Sequence, residues 1–239
     1  MSEIEAEGYG AAILRMLREL RDAGTHRTTA LIRHSAREFN PDWRDEENLL
    51  TDEGRSLARK FGEALPRDVF LRAYASPIER CMETAALSLD GHRAMGGRAS
   101  RSRELEGLGP FFILDQRKMF RTIESAREDG RDFMREWFDA ALDPDTLIAP
   151  RQCAEIMVRL VLEKLRRQAT REGPTLDLCV THDVNVHLIK DQVLGLKHEE
   201  HGQVEFLDGV VVFEREGTVW MQAPRTAATS LDHFLEAAT

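Results

Sequence analysis

The sequence predicts an α/β protein: a three-layer sandwich with a mostly parallel central sheet flanked by helices, carrying an inserted helical cap. Three observations predict it. Apolar runs of strand length, Thr28 to Ile32, Val69 to Ala75 and Leu176 to Val180, alternate with amphipathic stretches of helical period. Each run ends in polar, chemistry-bearing residues, as expected where strands of an open sheet deliver side chains to a cleft beyond their carboxyl ends. At 239 residues and 42% hydrophobic content, the chain is long enough for one sizeable core. Residues 1–239 therefore read as a single domain, with 92–149 as the cap insertion.

The elements follow in order. Ile4 to Ala23 reads as an amphipathic helix with Ile13, Leu14, Leu17 and Leu20 on one side, which can pack on the sheet or against a second copy in a homodimer. The first strand runs into Arg33-His34-Ser35, with Arg37 close behind. Leu50-Thr51-Asp52-Glu53-Gly54 leads into a helix that puts Leu57, Ala58, Phe61 and Leu65 on one face. After the second strand, Ser76 is placed to cap a helix and Pro77 suits its first position, which sets Arg80 in the first turn. The segment 92–149 opens on Gly96-Gly97 and a basic run, then carries a helical pattern through Met119, Ile123, Phe133, Met134, Trp137 and Phe138. A strong amphipathic helix over 150–170 precedes the third strand, which ends in Thr181-His182-Asp183, and Val184 to Leu196 reads as helix. Val210 to Phe213 and Thr218 to Gln222, joined across Glu216-Gly217, predict a closing β-hairpin.

These residue types point to phosphoryl chemistry. Arginine stays charged and grips two oxygens of a dianion at once, so Arg33, Arg37 and Arg80 would form a phosphate pocket. A neutral imidazole is a suitable nucleophile towards an anionic ester, which places His34 at the centre of that pocket. His182 would add a further donor, and a neighbouring carboxyl group could protonate the leaving alkoxide.

On Arg33-His34-Ser35, Ser76-Pro77 with Arg80, His182, the Leu50 to Gly54 segment and Leu207-Asp208-Gly209, the chain resembles the histidine phosphatase superfamily, also called the phosphoglycerate mutase-like fold. The likeness spans roughly residues 25–91 and 174–222. The spacing from Arg33-His34 to Arg37, with His182-Asp183, is nearer the acid phosphatase branch. The resemblance implies His34 as nucleophile, Asp183 as proton donor, and Arg33, Arg37, Arg80 and His182 as phosphate ligands. Glu104 and Glu106 stand in reserve as donors of the kind the mutase branch uses. It also implies that no metal or other cofactor is needed. The sequence departs from the family's Arg-His-Gly at Ser35, whose hydroxyl would narrow the pocket or add a hydrogen bond to phosphate. The function expected is metal-independent hydrolysis of a small phosphorylated metabolite through a phosphohistidine on His34. A mutase-like phosphotransferase and a catalytically weak phospho-ligand binding module are the alternatives.

Other features are read as ordinary structure. Net charge is −9, from 33 basic and 42 acidic residues, which argues against nucleic acid as partner. Cys81, Cys153 and Cys179 lie in apolar patterns and are expected to be reduced core residues. With no apolar leader and no run able to span a bilayer, a cytoplasmic protein without a membrane partner is expected. His198-Glu199-Glu200-His201 reads as a solvated loop, His187 as packed or exposed, and His26 and His92 as turn residues.

Overall fold

Burial on both faces explains why the three strands at the centre of the sheet read as continuous apolar runs. In the computed structural model, which describes residues 8–40 and 44–232, β1 (Arg27–Arg33) and β4 (Thr175–Thr181) are neighbours, and β2 (Phe70–Ala75) lies on the other side of β4. All three run parallel, with Arg33 opposite Thr181 and Ala75 opposite Val180, so their carboxyl ends fall on one line. The sheet continues with β3 (Arg98–Glu104), parallel to β2 at one edge. On the far side of β1 come β5 (Gly209–Arg215), β6 (Thr218–Gln222) and the short β7 (Thr229–Ser230), all antiparallel. The order of the seven strands is thus β3-β2-β4-β1-β5-β6-β7.

Period-two alternation sends neighbouring side chains to opposite layers. Ala30 and Ile32 join a core with α1 (Ala11–Asp22), α2 (Asp52–Ala64) and α3 (Glu79–Ala94), whereas Leu31 joins one with α5 (Phe133–Phe138), α6 (Pro150–Arg167) and α7 (Asp183–Leu194). This is the expected three-layer arrangement. Ile13, Leu14, Leu17 and Leu20 of α1 are buried in the first core, so that face of the helix packs on the sheet. The expected start of this helix at Ile4 lies outside the described residues. No helix among the described residues is long and apolar enough to cross a membrane.

Three details differ from expectation. Residues 98–104, assigned from sequence to the insertion, are an edge strand of the central sheet. Its exposed arginines suit an edge that must not recruit another chain. The rest of that segment holds α4 (Gln116–Glu128) and α5, and Trp137 and Phe138 pack in the second core. His92 belongs to the last turn of α3 and is fully buried, its Nε2 bonded to the Val69 carbonyl. His198 opens the one-turn α8 (His198–His201) and is buried against Asp132, to which Nε2 bonds at 2.7 Å.

A polar pair lies inside the sheet. Asp177 of β4 is fully buried, and Arg72, opposite it on β2, bonds both of its carboxylate oxygens. Burial raises the Asp177 carboxyl, and Arg72 opposes that rise. Breaking such a pair costs more than never having it, because the remaining charge stays buried alone. Asp177→Ala is expected to destabilise the fold by about 3–5 kcal/mol, read from denaturant unfolding. The double variant Arg72→Met with Asp177→Leu should lose much less; a double variant as unstable as the single would contradict this account of the pair.

Candidate active site

The ends of β1, β2 and β4 bring the site together through backbone bonds that continue the sheet. The His34 N–H donates to Thr181 O at 2.9 Å, and the Ser76 N–H to Val180 O at 3.0 Å. The N–H of Arg33 donates to Asp208 O in the turn before β5. That turn fits because Gly209 has no side chain: a Cβ there would lie 1.9 Å from Leu31 O.

Arg80, the second residue of α3 and 2% exposed, is the hub. Its Nε donates to His34 Nε2 at 3.1 Å, and an NH2 hydrogen to His182 Nδ1 at 3.2 Å. The two imidazole centroids stand 5.7 Å apart. Each ring's other nitrogen fixes its tautomer. His34 Nδ1 donates to Ser35 O at 2.7 Å, leaving Nε2 with its lone pair towards Arg80. His182 Nε2 donates to Ser76 Oγ at 3.0 Å, leaving Nδ1 as acceptor. Burial, reinforced by Arg80, pushes the His34 imidazole down to about 2 and that of His182 to about 4. Both are neutral at ordinary pH, and His34 Nε2 is an unprotonated, buried nitrogen suited to nucleophilic attack.

The other arginines frame this pair. Arg33 lies with its guanidinium 4.1 Å from the centroid of the Phe206 ring, itself 5.9 Å from the His34 ring. It donates to Val204 O and pairs with Asp183 at 2.9 Å, while its buried Nε has no hydrogen-bond partner. Arg37 pairs with Asp45 at 3.2 Å, and the same carboxylate bonds Arg80. Asp183 starts α7 directly after His182 and is half-exposed at Arg33. Thus Arg33, His34, Arg37, Arg80, His182 and Asp183 are linked by contacts into one cluster.

Glu104 and Glu106 are exposed, one at the end of β3 and the other in the one-turn 3-10 helix Glu106–Leu108. Among the described residues, neither bonds to His34, His182, Arg33 or Arg80. Their segment still abuts the site, since Thr181 Oγ1 and Asn185 Nδ2 donate to Leu108 O.

Ser35 does not face the pocket as expected. It is fully buried, its Oγ donating to Gly54 O at 2.7 Å and its N–H to Thr84 Oγ1 at 3.1 Å. The hydroxyl therefore ties the nucleophile's loop to the first turn of α2, where Thr51 caps the helix and a Cβ on Gly54 would strike Ala36 O at 1.9 Å. Ser76 also has a different role. Helix α3 starts after it, with Ile78 as N-cap; Ser76 Oγ accepts the Ile78 N–H at 3.3 Å and also the hydrogen bond from His182 Nε2. Sequence reasoning missed Ser76, Thr84, Phe206 and Asp45 as site residues. Only Ser76 had a signal, its place at a strand end.

The cysteines are free and buried, as expected. Burial raises all three thiols, Cys81 and Cys153 to about 12. One group among the described residues could approach a metal, Asp132, His198 and Glu199. Its acids are already engaged, Asp132 by His198 and the helix α5 cap, Glu199 by Arg135 at 2.7 Å.

With this geometry in hand, the likeness to known proteins is specific in fold. The family model of the histidine phosphatase superfamily (branch 1) matches residues 29–220. Among curated proteins, none matches the sequence. Similar solved structures include YhfR of Bacillus stearothermophilus, at 19% identity, covering 84% of this chain and 97% of that one with a TM-score of 0.59. Phosphoglycerate mutase from Bacillus anthracis str. Sterne is similar at 16% identity, 85% and 95% coverage and a TM-score of 0.57. Phosphoserine phosphatase from Entamoeba histolytica, in complex with 3-phosphoglyceric acid, gives 16% identity, 87% and 98% coverage and a TM-score of 0.54. At these identities the structures establish the fold. The expected leaning towards the acid phosphatase branch gains no support from these matches.

Two outcomes follow from the site. Unfolded, each imidazole protonates near 6.5; folded, His34 does so near 2 and His182 near 4. The unfolded chain binds more protons between those values, so stability falls as pH drops below 6.5, by at most about 1.4 kcal/mol per pH unit for each group. In denaturant titrations from pH 6.5 to 4.5, His34→Asn should show a shallower loss than the wild type; equal slopes would contradict a buried neutral imidazole. Ser35→Ala should cost about 1 kcal/mol of stability and leave turnover within about twofold, whereas a large loss of turnover at unchanged stability would return the hydroxyl to the pocket.

Proposed function

The chain belongs to the histidine phosphatase superfamily, whose members are phosphatases or mutases, and from that premise we propose that it is a metal-independent phosphomonoesterase acting on a small phosphorylated metabolite. The observation that carries this reading is the hydrogen bond from buried Arg80 to the lone pair of neutral His34. A fixed cation beside a fixed nucleophile is what attack on a phosphate dianion requires.

In the first step the Arg80 Nε–H passes from His34 Nε2 to a phosphate oxygen, the freed lone pair attacks phosphorus, and the bond to the ester oxygen breaks. Arg33, Arg37 and Arg80 hold the non-bridging oxygens, and His182, its Nε2 proton committed to Ser76, shapes the pocket through Arg80. Ser35 O keeps the Nδ1 proton of His34 throughout, so the phosphorylated ring stays oriented. Phosphate takes the place of the Asp183 carboxylate on Arg33, the freed carboxylate takes up a proton from solvent, and the resulting carboxylic acid gives it to the leaving alkoxide. In the second step water attacks the phosphohistidine, Asp183 accepts its proton, and the P–N bond breaks, which releases inorganic phosphate and restores the lone pair of His34 Nε2. Glu104 or Glu106 is the second reading for the donor, favoured by the branch 1 match and by the contact of their segment with Thr181 and Asn185. A mutase reaction would use the same phosphohistidine with a second hydroxyl in place of water. Partners beyond the substrate are not required by this scheme, and a cytoplasmic setting suits three reduced thiols.

Phosphate release from a generic aryl phosphate without added metal, absent in His34→Ala, is the expected result; transfer to an added hydroxyl acceptor without release would favour the mutase, and binding without turnover the binding module. Asp183→Asn should slow alkyl esters by about 10²–10⁴-fold and aryl phosphates far less, because only the former need the proton. If Glu104→Gln or Glu106→Gln shows that contrast and Asp183→Asn does not, the donor is the glutamate.

A further inference from the structure

Four of the five N–H donors of Arg80 are in use. Nε bonds His34, one NH1 hydrogen bonds the Asp45 carbonyl at 2.7 Å, and NH2 is shared between the Asp45 carboxylate and His182. The other oxygen of that carboxylate pairs with Arg37 at 3.2 Å. Asp45 thus spans two guanidinium groups beside the nucleophile, each oxygen on a different arginine, as two oxygens of a phosphate would be held. An incoming anion that grips NH2 of Arg80 and NH2 of Arg37 together must take over the bonds Asp45 makes there.

We propose that Asp45 is an internal ligand of the phosphate subsite, seated where the substrate's phosphoryl group binds, so that substrate binds by displacing it. The inference rests on the reading of this cluster as a phosphate site. Asp45 is placed to leave: it lies in a one-turn 3-10 helix between β1 and α2, and its side chain is 65% exposed although Arg80 beneath it is buried. Burial raises its carboxyl, but Arg80 and Arg37 more than reverse this and hold it below the usual carboxylate range, so it stays charged and competes as an anion. Competition of this kind weakens apparent affinity by the fraction of time the seat is free. A carboxylate seated nine-tenths of the time raises the apparent Kd for phosphate about tenfold. Asp45 would then set KM and guard the arginines against weakly held anions, without taking part in bond making.

The test is titration of full-length wild type and Asp45→Asn with inorganic phosphate by calorimetry, alongside kinetics on an aryl phosphate. Asp45→Asn should bind phosphate about tenfold more tightly and lower KM by a similar factor. Asp45→Glu, which keeps the charge, should remain closer to the wild type than Asp45→Asn. Unchanged or weaker phosphate binding in Asp45→Asn, with a melting temperature like the wild type's, would overturn the displacement proposal and leave the phosphate site standing. Phosphate binding to neither protein would overturn both.

Discussion

A guanidinium held between two neutral imidazoles is the interaction on which the rest of this site depends. Arg80 is buried, so its charge must be met by acceptors, and the acceptors it finds are His34 Nε2, His182 Nδ1 and Asp45. Burial keeps both rings unprotonated, and the same contact reinforces it, since a cation beside a buried imidazole adds to the cost of charging it. Nucleophile and counter-charge are therefore set by one buried contact. Every other feature of the site can be understood as holding this arrangement in place.

The sheet supplies the first level of support. β4 lies between β1 and β2, so His34, Ser76 and His182 emerge from three adjacent strand ends, with His34 and Ser76 each bonded back to a carbonyl of β4. Side-chain ties supply the second level. Ser35 Oγ anchors the nucleophile's loop to α2, Thr84 links that loop to Arg80 O, and Ser76 fixes the His182 tautomer. In the enzymes this family contains, such rigidity matters because phosphoryl transfer is catalysed mainly by position and charge.

Much of this was legible in the sequence because strands buried on both faces leave continuous apolar runs, and the chemistry begins where those runs stop. Arg33, His34, Arg80, His182 and Asp183 were found that way. β3 was not, because Arg98–Glu104 is polar along its length and is strand only by pairing with β2. The burial of His92 and His198 was also hidden, since it comes from tertiary contacts with Val69 and Asp132 that no local pattern records. Asp45 lies in a polar stretch without periodicity, and its meaning depends on two arginines distant in sequence. Ser35 was visible as a departure from the family pattern, but the direction of its hydroxyl depends on where Gly54 is brought by the fold.

The central claim is that His34 Nε2 forms a bond to phosphorus, and covalent trapping tests it most directly. The protein would be mixed with an aryl phosphate, quenched rapidly in alkali, where phosphohistidine survives, and its peptides mapped by mass spectrometry. The account predicts a single phosphoryl group on the peptide containing His34, lost on acid treatment and absent in His34→Ala. Phosphate release with no label on His34, or label on another residue, would contradict it.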